Sequence, residues 1–128
     1  MDPIANLFTS LRNAGSVGKP SILLPFSKFK KAISDVLVKE GFISSVKEIS
    51  KDDKKYLEIS LKYKGNEPVF DKIKQISSPS VKIYVKSYQI PRPLDGLGVV
   101  LLSTPKGVMT GRDAKKHGLG GEVICEIY

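Results

Sequence analysis

The chain has one cysteine and one histidine in 128 residues. Cys125 alone can form no disulfide within the chain, so the fold is not covalently stapled and a reducing compartment is its natural setting. In Val123-Ile124-Cys125-Glu126-Ile127 it is most simply a small buried apolar residue. One cysteine and one histidine, His117, fall short of a usual zinc site, so no metal is expected. No apolar run approaches the ~20 residues that span a bilayer as a helix, and Asp2 does not fit the cationic, then apolar opening of a secretory leader. A cytoplasmic location with no membrane partner is expected. Nucleotide loops are missing too: Gly96-x-Gly98 leads to Leu101 where a dinucleotide loop has its third glycine, and Gly-x-x-x-x-Gly-Lys does not occur. Ser103, Asp113 and His117 supply the letters of a hydrolytic triad, but no Gly-x-Ser-x-Gly surrounds the serine. No cofactor, small-molecule substrate or catalysis is therefore expected, and a hydrolase using Ser103 and His117 is the unfavoured alternative.

What is abundant is positive charge. Twenty-one Lys and Arg against thirteen Asp and Glu give +8, with a sequence pI of about 9.6. Between Lys82 and Lys116 seven cations, Lys82, Lys86, Arg92, Lys106, Arg112, Lys115 and Lys116, face only Asp95 and Asp113. A local excess of this kind favours a polyanionic partner, because neutralising phosphates releases condensed counterions. The plainer alternatives are a soluble basic surface, or a protein-interaction module that holds any polyanion equally. An apolar fraction of 41% and a charged fraction of 27% are those of a globular chain, long enough for one domain or two small lobes.

Periodicity supplies the elements. Ile4, Leu7, Phe8 and Leu11 repeat at helical spacing after a capping Asp2 and Pro3, with Gly15 and Gly18 as the stop. Ile22-Leu23-Leu24 reads as a short strand ended by Pro25. Phe29, Ala32, Ile33, Val36 and Leu37 mark a second helix, capped by Ser27 and stopped at Gly41. Strands follow at Phe42 to Ile49 and Tyr56 to Tyr63, joined through Lys51-Asp52-Asp53-Lys54, the second with Leu57, Ile59 and Leu61 inward. Lys64-Gly65-Asn66-Glu67-Pro68 is the expected break between an amino-terminal lobe, 1–64, and a carboxyl-terminal lobe, 65–128. The second lobe offers strands at Ile73 to Ser77, Val81 to Lys86, Val99 to Leu102 and Glu122 to Ile127, with one short helix after Thr110. The expected fold is α+β: two small lobes, a helix-rich α/β amino-terminal one and a mainly antiparallel β carboxyl-terminal one.

Several residues suit a nucleic-acid surface. Lys28, Lys30 and Lys31 lie in the first turn of the second helix, where cations oppose the helix dipole by several tenths of a kcal/mol each and a bound phosphate would reverse that penalty. Three solvated lysines are the equal alternative. Arg12 and Asn13 stand on the polar face of the first helix. In Ser103-Thr104-Pro105-Lys106-Gly107 the hydroxyls can read base or ribose edges, Lys106 can reach a phosphate, and Gly107 permits close approach. Thr110 caps the following helix with Asp113 three positions on, and Arg112 and Lys115 can track phosphates from that helix. Tyr84, between Lys82 and Lys86 on one strand face, can stack on an exposed base, with a half-buried strand tyrosine as the plain alternative.

The run Ser103-Thr104-Pro105-Lys106-Gly107-Val108-Met109-Thr110, followed by Gly118-Leu119-Gly120-Gly121-Glu122, resembles the carboxyl-terminal signature of the eighth protein of the small ribosomal subunit. That family's loop usually reads Ser-Thr-Ser-Lys-Gly; here Pro105 stands third, without the hydroxyl and amide N–H of serine. Asp2-Pro3-Ile4-Ala5-Asn6, Leu11-Arg12-Asn13-Ala14 and Gly96-Leu97-Gly98 extend the likeness over nearly the whole chain. The resemblance implies a structural ribosome component that binds the central domain of small-subunit ribosomal RNA and aids its assembly, through an RNA-facing surface across both lobes. It implies that Ser103, Thr104, Lys106 and Gly107 hold an irregular, bulged part of an RNA helix. It also implies contacts with neighbouring ribosomal proteins, and family members repress translation by binding a messenger RNA, their own included, whose site mimics the ribosomal one.

Overall fold

A computed structural model describes residues 2–128, the side chains of residues 94 and 95 excepted. The chain divides into two compact units, residues 3–70 and 71–128. Among the described residues no helix is long and apolar enough to cross a membrane.

The first unit begins with α1 (Pro3–Val17), whose helical spacing buries Ile4, Leu7, Phe8, Leu11 and Ala14 on one face. The helix runs through Gly15, where a stop was expected. Gly15 packs against Pro68, whose Cγ a side chain would meet at 3.1 Å, and the turn comes at Gly18 instead. Next come β1 (Ser21–Pro25), α2 (Lys28–Lys39), β2 (Ile43–Lys51) and β3 (Lys54–Leu61). The Ser27 hydroxyl caps α2, accepting from the Lys30 amide at 3.3 Å. The three strands form an antiparallel sheet in the order β1-β3-β2. Asp52 and Asp53, with φ of 52° and 61°, make the two-residue turn of the β2–β3 hairpin, whose left-handed pair matches the strand twist. Leu57, Ile59 and Leu61 of β3 alternate inward and are buried, as are Leu7, Phe8 and Leu11 of α1 and Ile33 and Leu37 of α2. Each such side chain contributes about 1.5–3 kcal/mol on burial. The breaker-rich stretch is itself folded: β4 (Tyr63–Lys64) pairs with β5 (Glu67–Pro68) inside this unit, and Phe70 beyond it is buried.

The second unit holds β6 (Ile73–Gln75), β7 (Tyr84–Val85), two 3-10 turns, β8 (Val99–Thr104), β9 (Gly107–Thr110), α3 (Gly111–Lys116) and β10 (Gly121–Ile127). Its antiparallel sheet runs β6-β10-β8-β9, with β7 also on β10, so β10 is its middle strand. The strands expected at 73–77 and 81–86 are shorter because Ser77 and Ser78 intervene. The Ser77 hydroxyl accepts from the Ile83 amide at 3.0 Å and that of Ser78 from Val81 at 3.2 Å, replacing ladder bonds by a local turn. β9 was not expected at all; Val108-Met109-Thr110 pairs with Leu101 to Ser103 before the helix starts. Val100, Leu102, Ala114 and Val123 form a core cluster, with Val85, Ile90, Met109 and Leu119 packed on it. The fold is thus α+β, with a helix-bearing first unit and a second made mainly of antiparallel strands with one short helix.

Candidate nucleic-acid interface

Strand register sets the geometry of this surface. Glu122 of β10 lies opposite Tyr84 of β7 on one side and Ser103 of β8 on the other, and Ser103 lies opposite Val108 of β9. Directly opposed residues share a sheet face and strands lie ~4.8 Å apart. Tyr84 and Ser103 therefore stand ~10 Å apart with a carboxylate between them. Residues one step along, Val85, Val123, Leu102 and Met109, point the other way into the core cluster. Tyr84 is 66% exposed, so its ring is displayed rather than packed. Lys82 reaches Glu122 at 4.0 Å, which makes the row locally neutral rather than repulsive to phosphate. Glu122 was not among the expected site residues, because only the register of strands far apart in sequence puts it there.

Two glycines allow this approach. A Cβ on Gly121 would sit 2.1 Å from the Ser103 carbonyl oxygen, and one on Gly120 would sit 2.3 Å from that of Val85. No side chain fits either place, so the Tyr84–Lys86 segment and the β8–β9 hairpin close up across bare backbone. Beyond β7 the chain makes a 3-10 turn, Ser87–Gln89, held by the Lys86 amide donating to Gln89 Oε1 at 3.0 Å. Tyr88 on that turn is 74% exposed, a second displayed aromatic that sequence reading passed over.

The hairpin end is built by Thr104. Its buried hydroxyl donates to the Gly107 carbonyl at 2.8 Å and accepts from the Lys106 amide at 3.2 Å. Thr104 therefore shapes the turn, and the half-buried Ser103 hydroxyl is the one left open to a partner. Pro105 fits its position: φ is negative at both central residues and +111° at Gly107, the pattern of a type I turn closed by a glycine bulge, which favours proline second. Pro105, Lys106 and Gly107 are exposed at the tip. Thr110, at the opposite end of β9, accepts from the Asp113 amide at 3.2 Å and so starts α3. Arg112 and Lys115 are exposed on that helix, about one β9 length, ~13 Å, from the tip.

The first-unit candidates are arranged otherwise. Lys28 is exposed at the start of α2. Lys31 is bound at 2.9 Å to both carboxylate oxygens of Asp35, one helical turn on. Lys30 is only 3% exposed, and burial lowers its pKa from the usual lysine value. One turn further on that face Ser34 is buried too, and its hydroxyl has no partner. Arg12 and Asn13 are exposed on α1.

A small basic α+β chain, whose second sheet displays hydroxyl, aromatic and cationic side chains around a glycine seam, has the equipment of a nucleic-acid-associated structural protein. The family comparison specifies which: the model described as Ribosomal protein S8 matches residues 2–128, and the chain belongs to that family. It is 46% identical over 127 residues to the "Small ribosomal subunit protein uS8" of Ruthia magnifica, covering 99% of this chain and 97% of the relative. With the protein of the same description from Albidiferax ferrireducens it shares 48% over 126 residues, 98% and 96% of the two chains. That from Caldanaerobacter subterraneus shares 46% over 128 residues, 99% and 97%. Membership sets aside the hydrolase alternative.

Proposed function

We propose that this protein binds the central domain of small-subunit ribosomal RNA, chiefly through its second unit, helps that domain fold during assembly, and stays in the cytoplasmic ribosome beside neighbouring proteins. The observation that carries this reading is the cross-strand row Tyr84, Glu122, Ser103, ending beside the Lys106 turn. Regular A-form duplex hides its base edges in a deep, narrow groove, whereas a bulge offers unstacked bases that a displayed tyrosine can stack on. Ser103 supplies a free hydroxyl and Glu122 an acceptor for base amino groups or ribose hydroxyls. Thr104, Gly107 and Thr110 hold the shape of the hairpin and helix start. Lys86, Lys106, Arg112 and Lys115 attract phosphates around the row. In the first unit Lys28 and Arg12 are exposed and Asn13 lies beside Arg12, whereas Lys30 is covered and contributes less. The test is titration of the purified protein against a central-domain RNA fragment and a length-matched regular duplex across salt concentrations. Preference for the fragment that persists at physiological salt is expected. Similar binding to both, collapsing together as salt rises, would reduce the surface to a charge effect.

A further inference from the structure

Among the described residues β1 is an edge strand, paired with β3 alone. The Phe26 amide donates to the Lys55 carbonyl at 3.1 Å and the Leu61 amide to that of Pro20 at 2.9 Å, which fixes the parity of the ladder. Ile22 and Leu24 bond inward to β3, and Ser21 and Leu23 turn their N–H and C=O outward. Pro25 turns out a carbonyl and has no N–H. The open edge lies beside a groove of about 620 Å³ walled by Ser10, Asn13 and Val17 of α1, by Lys19, and by β1 itself. On its α1 wall Val17 is 69% exposed, whereas Leu23, 49% exposed, turns its side chain to the other face of the sheet, opposite Glu58.

Sheet edges are ordinarily kept from pairing by charge. β2, the other edge strand of this sheet, carries Lys47, Glu48 and Lys51. β1 reads Ser-Ile-Leu-Leu-Pro and carries no charge at all. Among the described residues that line the groove the one ionic side chain is Lys19, while Glu58 of β3 stands opposite Leu23 on the far face of the sheet. Along an RNA backbone the only donors are the ribose hydroxyls, and they do not alternate with acceptors at strand spacing. Another polypeptide strand offers donors and acceptors in alternation at matching spacing.

We infer that the β1 edge and the α1–β1 groove take an extended acidic segment of a partner protein as an added strand. Its backbone bonds to Ser21 and Leu23, an apolar side chain enters the groove beside Val17, and a carboxylate meets Lys19. This interaction is separate from RNA binding by the second unit.

The test compares amide hydrogen exchange at Ser21 and Leu23 in the free full-length protein, in its complex with the central-domain RNA fragment, and in complete small subunits containing it. Exchange unchanged by the fragment and slowed at least roughly tenfold in the subunit is expected. Zero-length carbodiimide coupling in the subunit should then join Lys19 to an aspartate or glutamate of another protein, and Lys19→Glu should abolish that product and reduce the protection. No slowing in the subunit, slowing by the RNA fragment alone, or no protein coupled to Lys19 would each overturn the inference. The fragment's affinity tests the RNA reading by itself, so either proposal can fail without the other.

Discussion

At the start of α2 three cations stand within four residues, and the protein's own structure takes up two of them: Lys30 is covered and Lys31 is locked to Asp35. In the second unit the polar side chains lie far apart in sequence, at Tyr84, Ser103 and Glu122, and strand pairing lines them up on one open face. Nearness in sequence produced self-neutralisation; distance in sequence produced display. An i,i+4 spacing lets a helical lysine find its own acid, and a hydrophobic helix face draws in a neighbouring long stem. On a sheet face built from separate strands such pairing is looser: Glu122 meets Lys82 only at 4.0 Å, and Tyr84 stays largely exposed.

The comparison breaks most visibly at the glycine seam. Gly121→Ala places a carbon against the Ser103 backbone and is expected to destabilise the second unit by about 3 kcal/mol or more. Gly118→Ala, at φ +65° with open space around it, should cost only about 1 kcal/mol. Urea unfolding of both variants checks this, and equal losses would dispose of the close-approach argument. On recognition, Tyr84→Ala should weaken binding to the central-domain fragment by about 1–3 kcal/mol, and Ser103→Ala by about 1 kcal/mol. Binding to regular duplex should change little, and uniform losses on both RNAs would mean that the row does not discriminate.

The lysines sharpen the other half of the contrast. Lys28→Gln should flatten the salt dependence of RNA binding by roughly one unit, whereas Lys30→Gln should leave the slope unchanged. A flattened slope for Lys30→Gln would show that its amine comes out to meet RNA. Burial holds the Lys30 pKa below the 10.5 of a free lysine, so between the folded value and 10.5 the unfolded chain binds more protons. The destabilisation is full below that interval and is relieved as pH rises through it. Lys30→Met should therefore be more stable than the parent at neutral pH, with the difference shrinking toward pH 10.5; a difference independent of pH would remove burial of the charge as its cause. The smallest expected effect is Lys31→Gln, a loss of about 0.3–0.5 kcal/mol at low salt that vanishes in high salt. Thermal unfolding at both salt concentrations decides it.

Much of the fold was legible because its signals are local. The Ser27 and Thr110 caps, the Asp52-Asp53 turn and the alternation of Leu57, Ile59 and Leu61 each need only a few neighbouring residues. What escaped depends on non-local packing. Gly15 reads as a helix stop until Pro68 is seen against it, and β9 is too short to announce itself beside the stronger cap at Thr110. The hairpin at Ser103 to Gly107 was legible as a polar turn, yet the separate tasks of Ser103 and Thr104 were not, since hydroxyls of one chemical type differ only in which way they point. Glu122 and the burial of Lys30 likewise follow from register and from a helix face meeting its sheet, which no window of sequence contains.

β10 pairs with β6, β7 and β8, all of which precede it in the chain. As the chain leaves the ribosome that makes it, the first unit has every strand it needs before β10 exists, and units fold in the order they emerge. The Tyr84–Glu122–Ser103 row comes into being only once the middle strand is threaded between partners already made. A nascent chain therefore lacks the complete row, whatever ligand the row serves, until Glu122 and the strand that carries it have been made.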